Sequence, residues 1–251
     1  MNDYVQSLER GIAVLRSFGA DSPRQTLADV ARATGLTRAT ARRLLLTLEQ
    51  LGYARADGRW FELTPQVLDI GYSYVASLNL NEIAQPYLEA LSERLGESSS
   101  VSVLDDTDVV YVARVPTKRI MTTAIGLGSR FPAYQTSMGR VLLAELDDAA
   151  VADVFERTDR SLATDHTVRD LPELLDRLTE VRRDGYAIVD QELEVGVRSA
   201  AAPLRKGEGC ALAAMNVSTH VGRTGLDELR SVVVPELLST AQQISAALAF
   251  R

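Results

Sequence analysis

Three arginines, Arg38, Arg42 and Arg43, fall within one turn and a half of a segment that otherwise holds small polar residues and leucines. A guanidinium presents a rigid fork of donors that bonds bidentately to phosphate oxygens or to the O6 and N7 edge of guanine. Placed at about 100° per residue, Arg38, Ala39, Arg42 and Arg43 share one arc, together with Leu46, while Ala41, Leu44, Leu45, Leu48 and Leu51 form an apolar stripe on the other. Thr37 precedes the run with a side-chain oxygen suited to cap the first turn, and Thr40 follows within it. The chemistry this predicts is contact of Thr37, Arg38, Ala39, Thr40, Arg42 and Arg43 with duplex DNA, the Ala39 methyl being small enough to meet a thymine methyl.

The surrounding elements are those that would hold such a helix in a groove. Thr26 and Asp29 resemble a capping box ahead of Leu27, Val30 and Ala31, and Gly35-Leu36-Thr37 makes a tight corner between two helices. Asp57-Gly58 is a hairpin-turn signal inside YARADGRWFEL, with Arg55 and Arg59 placed to reach the backbone or a minor groove and Trp60 and Phe61 to anchor the hairpin in a small core. Leu8, Ile12, Leu15 and Phe18 predict a first helix closing this unit. The expectation is a winged helix-turn-helix over residues 1–63; winged helices also serve as protein-docking modules.

Charge divides along the chain. Net charge is −7 over 251 residues, with nine Lys and Arg against seven Asp and Glu through residue 63 and 18 against 27 beyond it. A basic head on an acidic body follows, and a generally basic nucleic-acid coat is excluded. The start of the chain lacks the basic and apolar regions of a signal peptide and no apolar run spans a bilayer, so the expected location is the cytoplasm. The single cysteine, Cys210, lies in an apolar run and is expected to be a buried structural thiol. With only His166 and His220 as histidines, no metal site, no cofactor and no Cys-His or Ser-His catalytic pair is expected.

Thr64-Pro65 is expected to open a linker helix over 64–79, with Val67, Leu68, Gly71, Tyr72 and Val75 on one side, facing either a second subunit or its own chain. Residues 80–251 read as a mixed domain. Helices are expected at Leu80–Leu95, Ser137–Leu146, Leu171–Asp184 and 226–249, the last kinked by Pro235. Strands are expected at Ser99–Leu104 and Val109–Val115 around Asp105-Asp106-Thr107-Asp108, at Arg119–Ile125, Tyr186–Asp190, Ser199–Leu204 and Cys210–Val217. The fold class is therefore α+β, an antiparallel sheet with helices outside it.

Over nearly its full length the chain resembles the IclR family of transcriptional regulators. The match rests on Asp3-Tyr4-Val5-Gln6-Ser7-Leu8-Glu9-Arg10-Gly11, on 35–43 (GLTRATARR), on 131–140 (FPAYQTSMGR) and on 192–199 (ELEVGVRS), and is similar to the branch controlling protocatechuate and β-ketoadipate catabolism. The resemblance implies a GAF-like effector domain and homodimers or tetramers on palindromic operators. It also implies an effector site made of Arg119, Ile120, Thr123, Ser137, Met138, Asp190, Ser199, Asn216 and Ser218, taking an aromatic acid or a dicarboxylate. Arg119 would clamp a carboxylate and the helix opening near Ser137 would offer free N–H groups, whereas Asp190 suits an anion only if it pairs with Arg119 or Arg198 or bonds a ligand hydroxyl. Arg114 and Arg130 are second-choice anion contacts. Other possibilities are a C-terminal enzyme or a protein-interaction domain with no small effector.

Overall fold

The computed structural model describes residues 4–19, 21–71, 80–117, 125–161, 164–207 and 209–249. The chain divides into two compact units, residues 1–77 and 78–251.

In the first unit, α1 (Gln6–Arg16), β1 (Arg24–Thr26), α2 (Leu27–Thr34), α3 (Arg38–Gln50), β2 (Ala54–Asp57) and β3 (Trp60–Leu63) follow in order. The strands form an antiparallel sheet in the order β1-β3-β2, adding a strand, β1, that the sequence reading lacks. Thr26 and Asp29 form the reciprocal capping box of α2, and these hydrogen bonds from Thr26 hold the Asp29 carboxyl below its ordinary value. Gly35 closes α2 at φ +66°, a left-handed conformation that costs glycine little. The core gathers Val14, Val30, Ala41, Leu45 and Leu48, with Leu44 partly buried.

Three expectations are corrected here. Leu8 and Ile12 are exposed, whereas Leu15 and Phe18 pack in the core as expected together with Val14, because only the C-terminal half of α1 and the residues after it reach α2 and α3. Leu51 is exposed because α3 stops at Gln50 and Leu51 sits in the turn before Gly52. Trp60 is half-buried outside the core cluster, paired across the sheet with Thr26, so Phe61, with Ala54 and Leu63, anchors the hairpin inward. Beyond the wing, residues 67–71 are helical, with Leu68 and Gly71 exposed; Tyr72 and Val75 lie outside the described residues.

The second unit is built on a six-stranded antiparallel sheet in the order β6-β5-β4-β9-β8-β7, where β4 is Ser98–Asp105, β5 Asp108–Val115, β6 Arg130–Pro132, β7 Ala187–Asp190, β8 Val197–Arg205 and β9 Ala211–His220. One face carries α4 (Leu80–Leu95) and the terminal helix α8 (Val234–Ala249) over a core that includes Leu88, Val101, Met215 and Leu237. The other carries α5 (Ser137–Leu143), α6 (Asp148–Arg157) and α7 (Leu171–Asp184) over Tyr134, Met138, Phe155 and Leu178. Leu80–Leu95 and Leu171–Asp184 match the sequence reading residue for residue, since both have a clear helical apolar stripe. The expected strand at 119–125 lies, except for Ile125, outside the described residues. Pro235 sits in the first turn of α8, and the irregularity lies just before it, in a π turn at 229–233 that absorbs the missing N–H. Cys210 is exposed, in the turn that leads into β9, which overturns its reading as a buried thiol. Among the described residues no helix is long and apolar enough to cross a membrane.

Candidate functional site

On the first unit, Thr37 caps α3, its Oγ1 accepting from the Thr40 amide at 3.2 Å. Arg38, Ala39, Arg42 and Arg43 are all exposed on the helix surface, and Thr40 is half-buried. None of Arg38, Arg42 and Arg43 has an ion-pair partner among the described residues, so their guanidinium donors face solvent uncommitted. Other arginines of the unit are neutralised internally: Arg24 bonds Asp57 at 2.6 Å, Arg32 bonds Asp29, and Arg55 Nε bonds Glu62 at 2.6 Å. Glu62 thus offsets part of the Arg55 charge, while the Nη donors of Arg55 remain for a phosphate. Arg59, at the tip of the wing, stacks 5.2 Å above the Trp60 ring. The outcome is a cationic helix face beside a wing whose charge is partly spoken for.

On the second unit, a cavity of about 210 Å³ opens on the sheet face that carries α5. Register explains its lining. Ser199 pairs with Ser218, which pairs with Ser98; one row on, Ala201 pairs with Asn216, Asn216 with Ser100, and Ser100 with Arg114. Side chains two residues apart on a strand share a face, so Asn216 and Ser218 project together. Tyr111 and Arg114 are three apart and in a regular strand would point to opposite faces. A bulge against Val101 and Ser102 leaves Val112 as the extra residue, which returns both side chains to the cavity.

Polar groups meet there among apolar walls. Arg114 Nη1 donates to Ser100 Oγ at 3.2 Å, and burial lowers its affinity for the proton without discharging it. Burial likewise pushes the Tyr111 phenol up to about 12, so it stays protonated and able to donate. Ser137 and Ser199 share a hydrogen bond of 2.8 Å between hydroxyls. Asn216 Nδ2 donates to Ser218 Oγ at 3.1 Å, and its Oδ1 is buried with no hydrogen-bond partner among the described residues. Ile125, Phe131, Val189, Leu193 and Val197 supply the apolar walls, and Gln135, Thr136 and Glu194 complete the lining.

Of the nine effector residues implied by resemblance, Ser137, Ser199, Asn216 and Ser218 come together in this cavity. Arg119, Ile120 and Thr123 lie outside the described residues. Met138 is not among the described lining residues: it is fully buried in the helix-side core, its sulfur accepting from Ser102 Oγ at 3.3 Å. Asp190 takes the Arg198 pairing that was one of its expected alternatives. It bonds Arg198 through both oxygens at 2.9 Å and faces a different hollow, so it adds no negative charge to the cavity. Arg130 is occupied by Asp105 and Asp108. Thr136 caps α5, accepting from Gly139 N at 2.9 Å. Sequence reasoning missed Tyr111, Gln135 and Glu194, and ranked Arg114 second. The signal for Tyr111 and Arg114 was hidden by the bulge, which breaks the period of two.

Behind the cavity, Arg140 Nη2 meets Glu192 Oε2 at 2.6 Å with both side chains buried. Arg140 Nε also donates to Tyr134 O, and Glu192 accepts from Val168 N at 3.2 Å. The pair joins α5 to the segment that contributes Leu193, Glu194 and Val197 to the lining.

Residues 7–58 match the family model described as the IclR helix-turn-helix domain, and residues 72–246 match the one described as bacterial transcriptional regulator IclR C-terminal. The chain belongs to the IclR family. It is 41% identical to the Pca regulon regulatory protein of Pseudomonas putida over 96% of this chain and 84% of that one. A crystal structure of a putative transcriptional regulator from Rhodococcus sp. RHA1 is 54% identical, covering 98% of this chain and 99% of that chain with a TM-score of 0.88. The inducer-binding domain of a double mutant of PobR from Acinetobacter, in complex with 3-hydroxybenzoic acid, is 31% identical over 66% of this chain and 97% of that chain, with a TM-score of 0.62. This IclR-family chain is a DNA-binding transcriptional regulator with a small-molecule effector domain, and not an enzyme.

Proposed function

We propose that α3 docks in the major groove of an operator and that an organic acid of aromatic catabolism, held in the cavity between the sheet and α5, changes operator affinity. The observation that carries this reading is Arg114, the one cation among the described residues lining a cavity of mixed polar and apolar walls in a family regulator. A guanidinium in such a setting favours a carboxylate, because a charge-assisted hydrogen bond is stronger where water is excluded. The Acinetobacter relative that holds 3-hydroxybenzoic acid and the regulon name of the Pseudomonas relative support an aromatic acid. Thr37, Arg38, Ala39, Thr40, Arg42 and Arg43 make the primary DNA contacts, with Arg55 and Arg59 reaching the backbone from the wing.

The regulator works in the cytoplasm as a homodimer or tetramer. Two recognition helices then enter major grooves about 34 Å apart, or a multiple of that, on a palindromic operator. Residues 1–63 act as the DNA head, 64–79 as a linker helix and 80–251 as the effector and assembly domain. Effector binding alters operator affinity only to the extent that it favours one arrangement of the heads over another.

Replacing both Arg42 and Arg43 by alanine tests the head. Gel shifts on a duplex from the gene's own neighbourhood should be lost, while stabilisation by a bound acid persists. Unchanged gel shifts would remove α3 from the interface.

A further inference from the structure

We infer that Arg59 passes the backbone to enter the minor groove beside the α3 site and selects A·T-rich flanks by groove shape, and that Trp60 is the positioning residue that presents it. This rests on the docking of α3 proposed above and adds to it a residue that sets operator preference.

The outward face of the wing is electrically balanced. Arg24 pairs with Glu62 and Glu62 with Arg55 in one row across β1, β3 and β2, and Asp57 lies on the same face, two residues from Arg55. Arg24 Nη2 bonds Asp57 at 2.6 Å and Arg55 Nε bonds Glu62 at 2.6 Å, so two arginines stand against two carboxylates. That face leaves the Nη donors of Arg55 for a phosphate but adds no net charge. Arg59 lies beyond this balance. With Gly58 it forms the two-residue loop between Asp57 and Trp60, which pair across the hairpin, so it sits at the tip. It is exposed and has no ion-pair partner among the described residues; Asp29, a carboxylate its charge reaches, is held by Thr26 and Arg32.

What distinguishes Arg59 is the platform under it. Its Cζ lies 5.2 Å from the centre of the Trp60 ring. Trp60 is half-buried opposite Thr26 and outside the core cluster, so the indole contributes little to the fold and supports the guanidinium instead. Holding the side chain over the ring restricts its rotamers before the duplex arrives, and less freedom is lost on binding. A guanidinium is also more weakly hydrated than an ammonium and sheds water more readily in a confined groove.

The wing and the recognition helix move together, since Ala54 of β2 shares a core with Leu45 and Leu48 of α3. With α3 in the major groove, the tip meets the neighbouring minor groove, about five base pairs away. Runs of A·T narrow that groove and deepen its negative potential, whereas a G·C pair places the guanine N2 amino group in it.

Fluorescence anisotropy of the full chain tests this on an operator duplex from the gene's own neighbourhood, its half-sites mapped by footprinting. The base pairs about five steps from each half-site centre are set to A·T, G·C or inosine·C. Inosine·C keeps the major-groove edge of G·C and lacks its minor-groove amino group. A·T and inosine·C flanks should bind at least about fivefold tighter than G·C flanks. Arg59→Ala should bring the three affinities together, at or below the wild-type G·C level. Arg59→Lys should keep the salt dependence and lose the preference, because the charge stays and the stacked fork is gone. Trp60→Leu should lose most of the preference with G·C affinity unchanged, and Trp60→Phe should retain it; a merely structural role for Trp60 would lower all three affinities together. Equal wild-type binding to the three duplexes, inosine·C behaving as G·C, or a preference that survives Arg59→Ala overturns the inference while leaving α3 in its groove. A wild-type chain that binds no such duplex overturns the docking reading together with it.

Discussion

Replacing Glu192 by alanine isolates the buried support of the cavity. Arg140 is 2% exposed and Glu192 is 7% exposed, and their contact is 2.6 Å. Burial pushes the Glu192 carboxyl up and the Arg140 guanidinium down, and the attraction between them opposes both shifts. Removing the carboxylate strands a buried cation, which costs about 3–5 kcal/mol. Val168 N loses its acceptor as well, adding about 1 kcal/mol. For a unit of this size, about 2–4 °C per kcal/mol places the melting temperature of the effector domain roughly 8–24 °C lower. Differential scanning calorimetry of the full chain reads this directly. The double replacement Arg140→Met with Glu192→Leu should recover at least half of the loss, since two apolar groups leave no charge uncompensated. Hydroxybenzoate affinity should fall in Glu192→Ala, because the segment bearing Leu193, Glu194 and Val197 is no longer tied to α5. A loss under about 1 kcal/mol, with the double variant less stable than the single, would refute this reasoning.

Other outcomes follow from equally local causes. A methyl group on Gly139 would lie 2.0 Å from the carbonyl oxygen of Ala133, so Gly139→Ala should displace the 133–136 turn, lower stability by about 1–3 kcal/mol in urea unfolding, and weaken ligand binding at Ser137. The exposed Cys210 should react with a thiol reagent in the folded protein at a rate near that of the denatured chain, and protection until unfolding would contradict its exposure. If Arg42 and Arg43 each touch one phosphate, each single alanine variant should reduce the salt dependence of operator affinity by about one unit of slope in filter binding; an unaltered slope would move them to base edges or off the DNA.

How far the sequence speaks depends on whether burial keeps a regular period. Along α3 it does: Ala41, Leu45 and Leu48 are buried while Arg38, Arg42 and Arg43 are exposed. The caps at Thr26 and Thr37 and the left-handed Gly35 were equally readable, because each depends on neighbours within four residues. Along α1 the period holds but the partner is missing, and Leu8 and Ile12 stay exposed beyond the small core. The cavity was half legible. Ser137, Ser199, Asn216 and Ser218 carry family motif positions, whereas Tyr111 and Arg114 depend on a bulge that no alternation announces. For Asp190 the sequence offered Arg119, Arg198 or a ligand hydroxyl as partner, and only the β7–β8 register, which sets Arg198 directly across from it, decides for Arg198. Helix α6, a ten-residue segment, was overlooked beside its more strongly patterned neighbours.

The most direct measurement is fluorescence anisotropy of a labelled operator duplex titrated with the wild-type protein, with and without saturating hydroxybenzoate, at a fixed salt concentration. The account expects a shift in operator Kd in the presence of the acid that disappears in Arg114→Gln. Identical binding curves with and without an acid that calorimetry shows to be bound would contradict the coupling of cavity to groove.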